Sequence, residues 1–316
     1  MLTLSRKAKQ FLTVVVKLLI VGGAFYFIYS RLMGEGAPDW QKLNEALKTE
    51  NALLYGFIIL ALTFLNRFLE IIKWQNLVSS FSSITLGNAA KQVLAAMTAA
   101  LFTPNGIGEY AAKALYYKKE HTKNIIFLNL VCNGIQLIIA VLAGLFGFAI
   151  FNTEHNVIPD SFLFILLAVL LITAILLFTA RNFTIKGHSL KKVAKKVNAL
   201  PKTIHRKNML LALGRYFCLI HQHYFLFLLF GVDLPYAEML AVIAAVYFLG
   251  SSLPTFQLFD FAVRGGVAVF FFGLMGVNEW IVVFAATLQW LHNIVIPVSI
   301  GSYFVFRFKP AEATPH

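Results

Sequence analysis

The sequence is short of charge, of cysteine and of the motifs of soluble enzymes. Asp, Glu, Lys and Arg make up 13% of its 316 residues. That is about half the share in an ordinary soluble domain, so a chain of one or two soluble globular domains is excluded. Cysteine is nearly missing. Cys132 and Cys218 both lie inside apolar runs, where they read as small core residues and exclude a disulfide framework. No G-x-S-x-G, Walker loop, C-x-x-C or H-E-x-x-H occurs, so the hydrolase, nucleotide-binding, redox and zinc-protease chemistries lack their usual carriers. His155 and Asp160 form an H-x4-D pair, but in a nine-residue loop between two apolar runs with no soluble domain to build a pocket. The histidines His221, His223 and His292 lack the carboxylate spacing of a helical two-metal site. Neither a catalytic set, a metal nor a cofactor is expected.

What the sequence does have is apolar length. Apolar residues make up 59% of the chain and the mean hydropathy is +0.74. Clear apolar helices are predicted over about 11–32, 52–73, 124–151, 161–180, 208–230 and 281–306, each near the ~20 residues that cross a bilayer. The first follows Arg6, Lys7 and Lys9; it is too long for a signal core and is followed by no small-residue cleavage site, so it reads as a retained helix. The fold class is therefore an all-α polytopic membrane protein, a single integral-membrane domain over 1–316. The net charge of +13 does not mark a nucleic-acid reader, because nine basic residues crowd into the single stretch Arg181–Lys207. That placement fits a cytoplasmic loop on an anionic membrane surface.

Orientation follows from Lys and Arg in the short loops. A basic N-terminus, Lys73, the trio Lys118, Lys119 and Lys123, the loop 181–207, and Arg307 with Lys309 are placed inside. Gly34–Glu50, Asn152–Asp160 and Gly231–Pro235 are placed outside. Two segments broken by Pro, Gly and charge, about 84–119 and 236–276, then begin and end on the same side. They are expected to be re-entrant hairpins from opposite faces, turning near Thr103-Pro104-Asn105-Gly106 and Leu253-Pro254-Thr255-Phe256. The alternative is two ordinary pairs of short helices with surface loops. Paired interrupted segments in corresponding halves fit an inverted repeat and point to a transport site at mid-bilayer depth.

Each hairpin carries an acidic residue shortly after its proline, Glu109 after Pro104 and Asp260 after Pro254. Gly106 and Gly108 precede a helix start, where backbone N–H groups can face an anion such as phosphate. Glu109 in that first turn is either a dipole-favoured cap or a functional carboxylate, and Lys113 stands one turn on. Asp260 and Arg264 at i, i+4 are either a self-satisfied ion pair or part of a phosphate site. Polar stripes line the intact helices: Asn129, Asn133 and Gln136; Gln289, His292 and Asn293; Arg215 and Gln222; and Asn66, Arg67 and Glu70. Any one of these could be interhelical glue, and Lys17 and Arg67 could snorkel to the inner surface. Together they predict a polar-lined interior.

At the hairpins the sequence resembles the lysylphosphatidylglycerol synthase transmembrane-region family, also described as flippase-like, the membrane half of the multiple peptide resistance factor proteins. Thr103, Pro104, Gly106, Gly108 and Glu109 match its first motif. In its second, Pro-Gly-Gly-x-Gly-x-x-Glu, Pro254 is kept, Thr255 and Phe256 replace the glycines, and Asp260 takes the acidic place. The resemblance spans essentially the whole chain and implies a domain that moves lipids, such as aminoacylated phosphatidylglycerol, between leaflets. In two-domain relatives, aminoacyl transfer belongs to a soluble C-terminal domain, which is expected to be absent here because the sequence ends soon after its last apolar run; no enzyme activity is expected.

The expected function is a bacterial inner-membrane lipid flippase or translocase with both termini cytoplasmic, acting on a charged phospholipid or lipid-linked head group. Its expected substrate-binding residues are Glu109, Asp260, Arg264, Lys113, Gly106, Gly108, Asn133, Gln136 and His292. The alternative is a non-transporting partner of a separate lipid-modifying or envelope-glycan synthase. A homo-oligomer stays open, and no nucleic acid is expected as a partner.

Overall fold

The computed structural model describes residues 51–101, 103, 106–159, 190–252 and 260–308, with isolated positions elsewhere; of Asp260 and Phe261 only the backbone is described. The expected helices over 11–32 and 161–180, Pro104, Asn105 and the turn at 253–256 lie outside the described residues. Among those described the chain is all helical. In order come α1 (Ala52–Val78), α2 (Leu86–Ala100), α3 (Gly108–Ala114), a short 3-10 turn, α4 (Thr122–His155), α5 (Leu190–Asn198), α6 (Lys202–Leu229), α7 (Tyr236–Ser252), α8 (Asp260–Leu274), α9 (Glu279–Trp290), a π-helical turn (Leu291–Val295) and α10 (Ile296–Phe306).

Among the described residues three helical runs are long and apolar enough to cross a membrane: Ala52–Val78, Lys119–His155 and Glu279–Phe306, with 27, 37 and 28 residues. At about 1.5 Å per residue each exceeds the ~30 Å hydrocarbon core. α6 is as long, at 28 residues, but carries Arg215 and several polar side chains toward its neighbours. α2 and α8 have 15 residues each, and α7 has 17. At about 22–26 Å these three fall short of a full crossing.

Local chemistry sets the ends of these pieces. Thr85 caps α2, its Oγ1 accepting from Asn88 N–H at 3.2 Å, as an N-cap hydroxyl should. α6 ends with Gly231 at φ 73° and the Val232 N–H bonded to Phe227 O at 3.1 Å. α8 ends the same way, with Gly276 at φ 73° and Val277 N–H on Phe272 O at 3.0 Å. Both are glycine C-cap motifs, in which only glycine takes the left-handed φ at no steric cost.

Aromatic pairs show that each broken segment returns to the end of the bundle it left. At one end the ring of Phe81 lies 5.8 Å from Tyr117 and 5.5 Å from His121, so 84–119 starts and finishes together. At the other end Phe230 lies 5.8 Å from Trp280, which closes 236–276 in the same manner. α1 and α6 run antiparallel between these ends: Asn76 Nδ2 donates to Ile204 O at 3.0 Å, and Tyr55 meets Phe225 at 6.0 Å. The two hairpins therefore enter from opposite ends, as the loop charges predicted. The order of long helix, broken hairpin and long helix occurs twice with inverted sense.

The hairpins are exchanged between the halves. α2 packs on α10, and α7 packs on α4. Both contacts depend on glycine. A Cβ at Gly147 would lie 2.5 Å from Ala241 O, and one at Gly144 would lie 2.8 Å from Ala244 O. A Cβ at Gly301 would strike the Leu94 carbonyl. Small residues let backbones approach this closely where no hydrophobic effect drives helices together.

The ends differ in charge. Lys118, Lys119, Lys123 and the exposed lysines of α5 gather at the Trp74–Ile204 end, where Val193 and Val197 anchor α5 on the core. The C-terminal segment joins them, with Tyr116 and Phe308 in edge contact at 4.8 Å. Glu50, Glu154, Asp233, Glu238 and Glu279 lie at the opposite end. Lys73 corrects one expectation. α1 continues to Val78, and Lys73 is fully buried; it is an interior charge, not a marker of the cytoplasmic end.

Candidate functional site

α1 is inverted relative to a soluble helix. Thr63, Asn66, Glu70 and Lys73 recur at spacings of three and four and are buried, whereas Phe57, Phe64, Leu65 and Phe68 are exposed. Polar groups shun an apolar medium, so a helix surrounded by lipid turns its polar stripe inward. The other helices supply matching stripes. α3 carries Glu109 and Lys113 one turn apart, and α4 presents Asn129, Asn133 and Gln136. α6 brings Arg215 and Gln222, and the π-helical turn brings Asn293.

These side chains form a buried polar network. Lys113 and Glu109 form an ion pair. Lys113 Nζ also donates to Asn129 Oδ1 at 2.8 Å and lies 4.3 Å over the ring of Trp74. Asn133 Nδ2 donates to Glu109 Oε2 at 3.5 Å. Glu70 Oε2 is paired with Arg67 and stands 3.3 Å from the Arg215 guanidinium. Arg215 Nε donates to Asn66 Oδ1 at 3.1 Å, and Asn66 Nδ2 donates to Asn293 Oδ1 at 3.0 Å. Asn293 Nδ2 reaches Gln222 Oε1 at 2.8 Å.

The π-helical turn has a local cause. Pro297 has no N–H to give to the Asn293 carbonyl four residues back, so that acceptor is left without its helical donor. Arg67 Nη2 fills the gap at 2.8 Å. An arginine of α1 thus completes the backbone of the last helix, and the side chain is locked in the interior rather than snorkelling outward.

The second hairpin joins through Tyr247. Its hydroxyl accepts from Gln289 Nε2 at 2.8 Å and lies 3.3 Å from His223 Nδ1, and its ring lies 5.0 Å from the Arg264 guanidinium carbon. The Asp260 side chain lies outside the described residues, so its pairing with Arg264 is not resolved into geometry.

The other expected site residues divide clearly. Glu109, Lys113 and Asn133 come together through direct bonds, whereas Gln136 meets Lys73 Nζ at 3.4 Å and the Ala212 carbonyl at 3.4 Å. Gly106 takes a left-handed turn at φ 68°. Gly108 departs from expectation: its N–H is bonded to Thr103 Oγ1 at 2.8 Å, and a Cβ there would meet Thr103 at 2.9 Å. The close approach that glycine allows is to the chain's own threonine. His292 Nδ1 turns to its own Leu288 carbonyl at 2.6 Å, away from the network. His155 pairs with Glu238 at 3.0 Å, bridging α4 to α7; Asp160 lies outside the described residues.

Two features escaped the sequence. Lys73 passed for a loop-end charge, and the shared use of Glu70 by Arg67 and Arg215 joins helices some 150 residues apart, with 149 separating Asn66 from Arg215. No local spacing announces either.

A helical bundle with ionised groups buried inside and phenylalanine and leucine exposed outside is a polytopic membrane protein. The chain belongs to the lysylphosphatidylglycerol synthase TM region family, whose model matches residues 14–305. Membership makes it a multi-pass membrane protein of lipid modification or transport. No curated protein matches the chain.

Proposed function

We propose that this protein is a lipid translocase of the bacterial inner membrane, a carrier and not an enzyme, with its basic end and both termini in the cytoplasm. The observation that carries the reading is the burial of an ionised network where two opposed, broken hairpins meet intact helices. An intramembrane charge is costly, at about 2.5–3.5 kcal/mol on insertion scales, and by default marks a substrate path. A polar interior would let a charged head group cross the midplane while its acyl chains stay in lipid. Inverted hairpins give each leaflet an equivalent approach. In this reading Glu109 of the first hairpin and Asp260 and Arg264 of the second are the charged residues assigned to the path.

The protein reconstituted in vesicles carrying fluorescent phospholipids should raise the amount of label crossing between leaflets. No protein-dependent crossing, with or without an imposed proton or sodium gradient, would sink the reading. Orientation is tested separately. A single cysteine replacing Lys192 should react with an impermeant thiol reagent only after the inner face is opened, and labelling in intact cells would reverse the topology.

A further inference from the structure

Away from the polar network, one cluster joins two helices at the acidic end of the bundle. Glu154 and His155 close the last turn of α4, and Glu238 lies in the first turn of α7. One ligand atom from each, an imidazole nitrogen and two carboxylate oxygens, lie within 4.8 Å of one another. Two ligands each about 2.1 Å from a tetrahedral metal ion stand about 3.4 Å apart. His155 Nε2 and Glu238 Oε1 are already 3.0 Å apart, so any remaining closure falls to Glu154. That side chain is exposed and has no hydrogen bond or ion pair among the described residues, so turning it breaks nothing.

The helix ends that carry these groups are held in place. The fully buried Phe151 stacks on the His155 ring at 4.2 Å. Asn152 exchanges two bonds with Ile158, its Nδ2 donating to the carbonyl at 3.0 Å and its Oδ1 accepting from the N–H at 2.9 Å, which ties down the chain leaving α4. Two turns earlier, the close approach of Gly147 to Ala241 fixes α4 against α7, one turn from Glu238. A ligand set needs such support to keep its geometry. With the imidazole neutral the three groups carry two negative charges, and the C-terminal end of α4 adds the negative pole of its dipole. A brace between helices would be complete with His155 and Glu238, the latter favoured in the first turn of α7. The second carboxylate is what turns the pair into a ligand set.

We propose that Glu154, His155 and Glu238 bind a divalent transition-metal ion, zinc by preference, which clasps the first helix of the second hairpin to α4. Imidazole with carboxylates suits zinc, whereas magnesium and calcium take oxygen-only sets. Three protein ligands leave the fourth position to water. The side chains of His155 and Glu238 are 23% and 19% exposed, which shelters the ion yet leaves it a way in from the aqueous end. The sequence gave no notice of the set, because Glu238 lies 83 residues from His155. The inference stands apart from the translocase reading and holds whether or not the protein moves lipid.

The test uses the full-length untagged protein in detergent, stripped with a chelator and titrated with zinc chloride, with binding read by native mass spectrometry and stability by thermal unfolding. One zinc ion should bind ahead of any others, and about a hundredfold excess of magnesium or calcium chloride should not displace it. Zinc at about 100 times its dissociation constant should raise the unfolding midpoint by at least about 3 °C. Glu154→Gln should weaken binding by at least about tenfold and remove the rise; its exposed position keeps the fold out of the comparison. Glu238→Gln should weaken binding as much. Absence of a bound zinc ion, or unchanged affinity in Glu154→Gln, overturns the site. Displacement by calcium or magnesium overturns the ligand assignment and leaves a merely acidic surface. Zinc held by the three residues with no rise in the midpoint overturns the clasp.

Discussion

Replacing Glu70 by Gln is expected to destabilise the bundle by at least about 3–5 kcal/mol, the usual cost of stranding one buried charge. Here the carboxylate serves Arg67 and Arg215 together, so the amide would leave two guanidinium groups facing each other without an anion. Arg215→Gln is the instructive contrast. It leaves Arg67 paired with Glu70 and removes the second guanidinium beside it, so it should cost about 1–2 kcal/mol, the scale of lost hydrogen bonds. Thermal unfolding of the purified variants in one detergent measures both. Equal losses for the two substitutions would show that the charges do not act as one set.

Glu109→Gln should be the second most damaging change, at about 3–5 kcal/mol, because it strands Lys113, whose ammonium is fully buried. The double change Glu109→Gln with Lys113→Met should return stability to within about 1 kcal/mol of the parent, since an apolar pair often substitutes for a buried ion pair without loss. The double variant also separates scaffold from function. A stable protein that no longer moves lipid places Glu109 on the substrate path. A stable protein that transports normally makes the pair a brace between α3 and α4. If the double variant is no more stable than Glu109→Gln alone, Lys113 was not the group in need of an anion.

Much of the fold could be read from hydropathy and loop charge. The break within 84–119, the opposed entry of the hairpins and the stripe Asn129, Asn133 and Gln136 all follow from local pattern: proline and glycine interrupt helices, and α-helical spacing puts i, i+4 and i+7 on one face. The site was legible as a set of polar residues but not as a set of partners. Lys73 was misplaced because charge near the end of an apolar run looks the same whether it faces headgroups or a buried amide. Gly108 looked like an anion cradle because nothing in the sequence says that Thr103 folds back to occupy it. The bond from Arg67 to Asn293 depends on Pro297 removing a donor four residues away, a consequence that appears only once α1 and the last helix are side by side.

The exchange of hairpins between halves has a temporal side. The Thr98 hydroxyl of α2 donates to the Val298 carbonyl at 3.2 Å, across 200 residues of chain. At about 5–20 residues per second, ribosomes need about 10–40 s to make that stretch. For that interval the first hairpin can pack on α1 and α4 but lacks its contact with α10, which has not been synthesised. The second hairpin has no such delay: α4, on which it packs, is already made when α7 emerges. Assembly therefore has a direction that the inverted architecture conceals, with the N-terminal hairpin completed only when the last helix arrives to lock it.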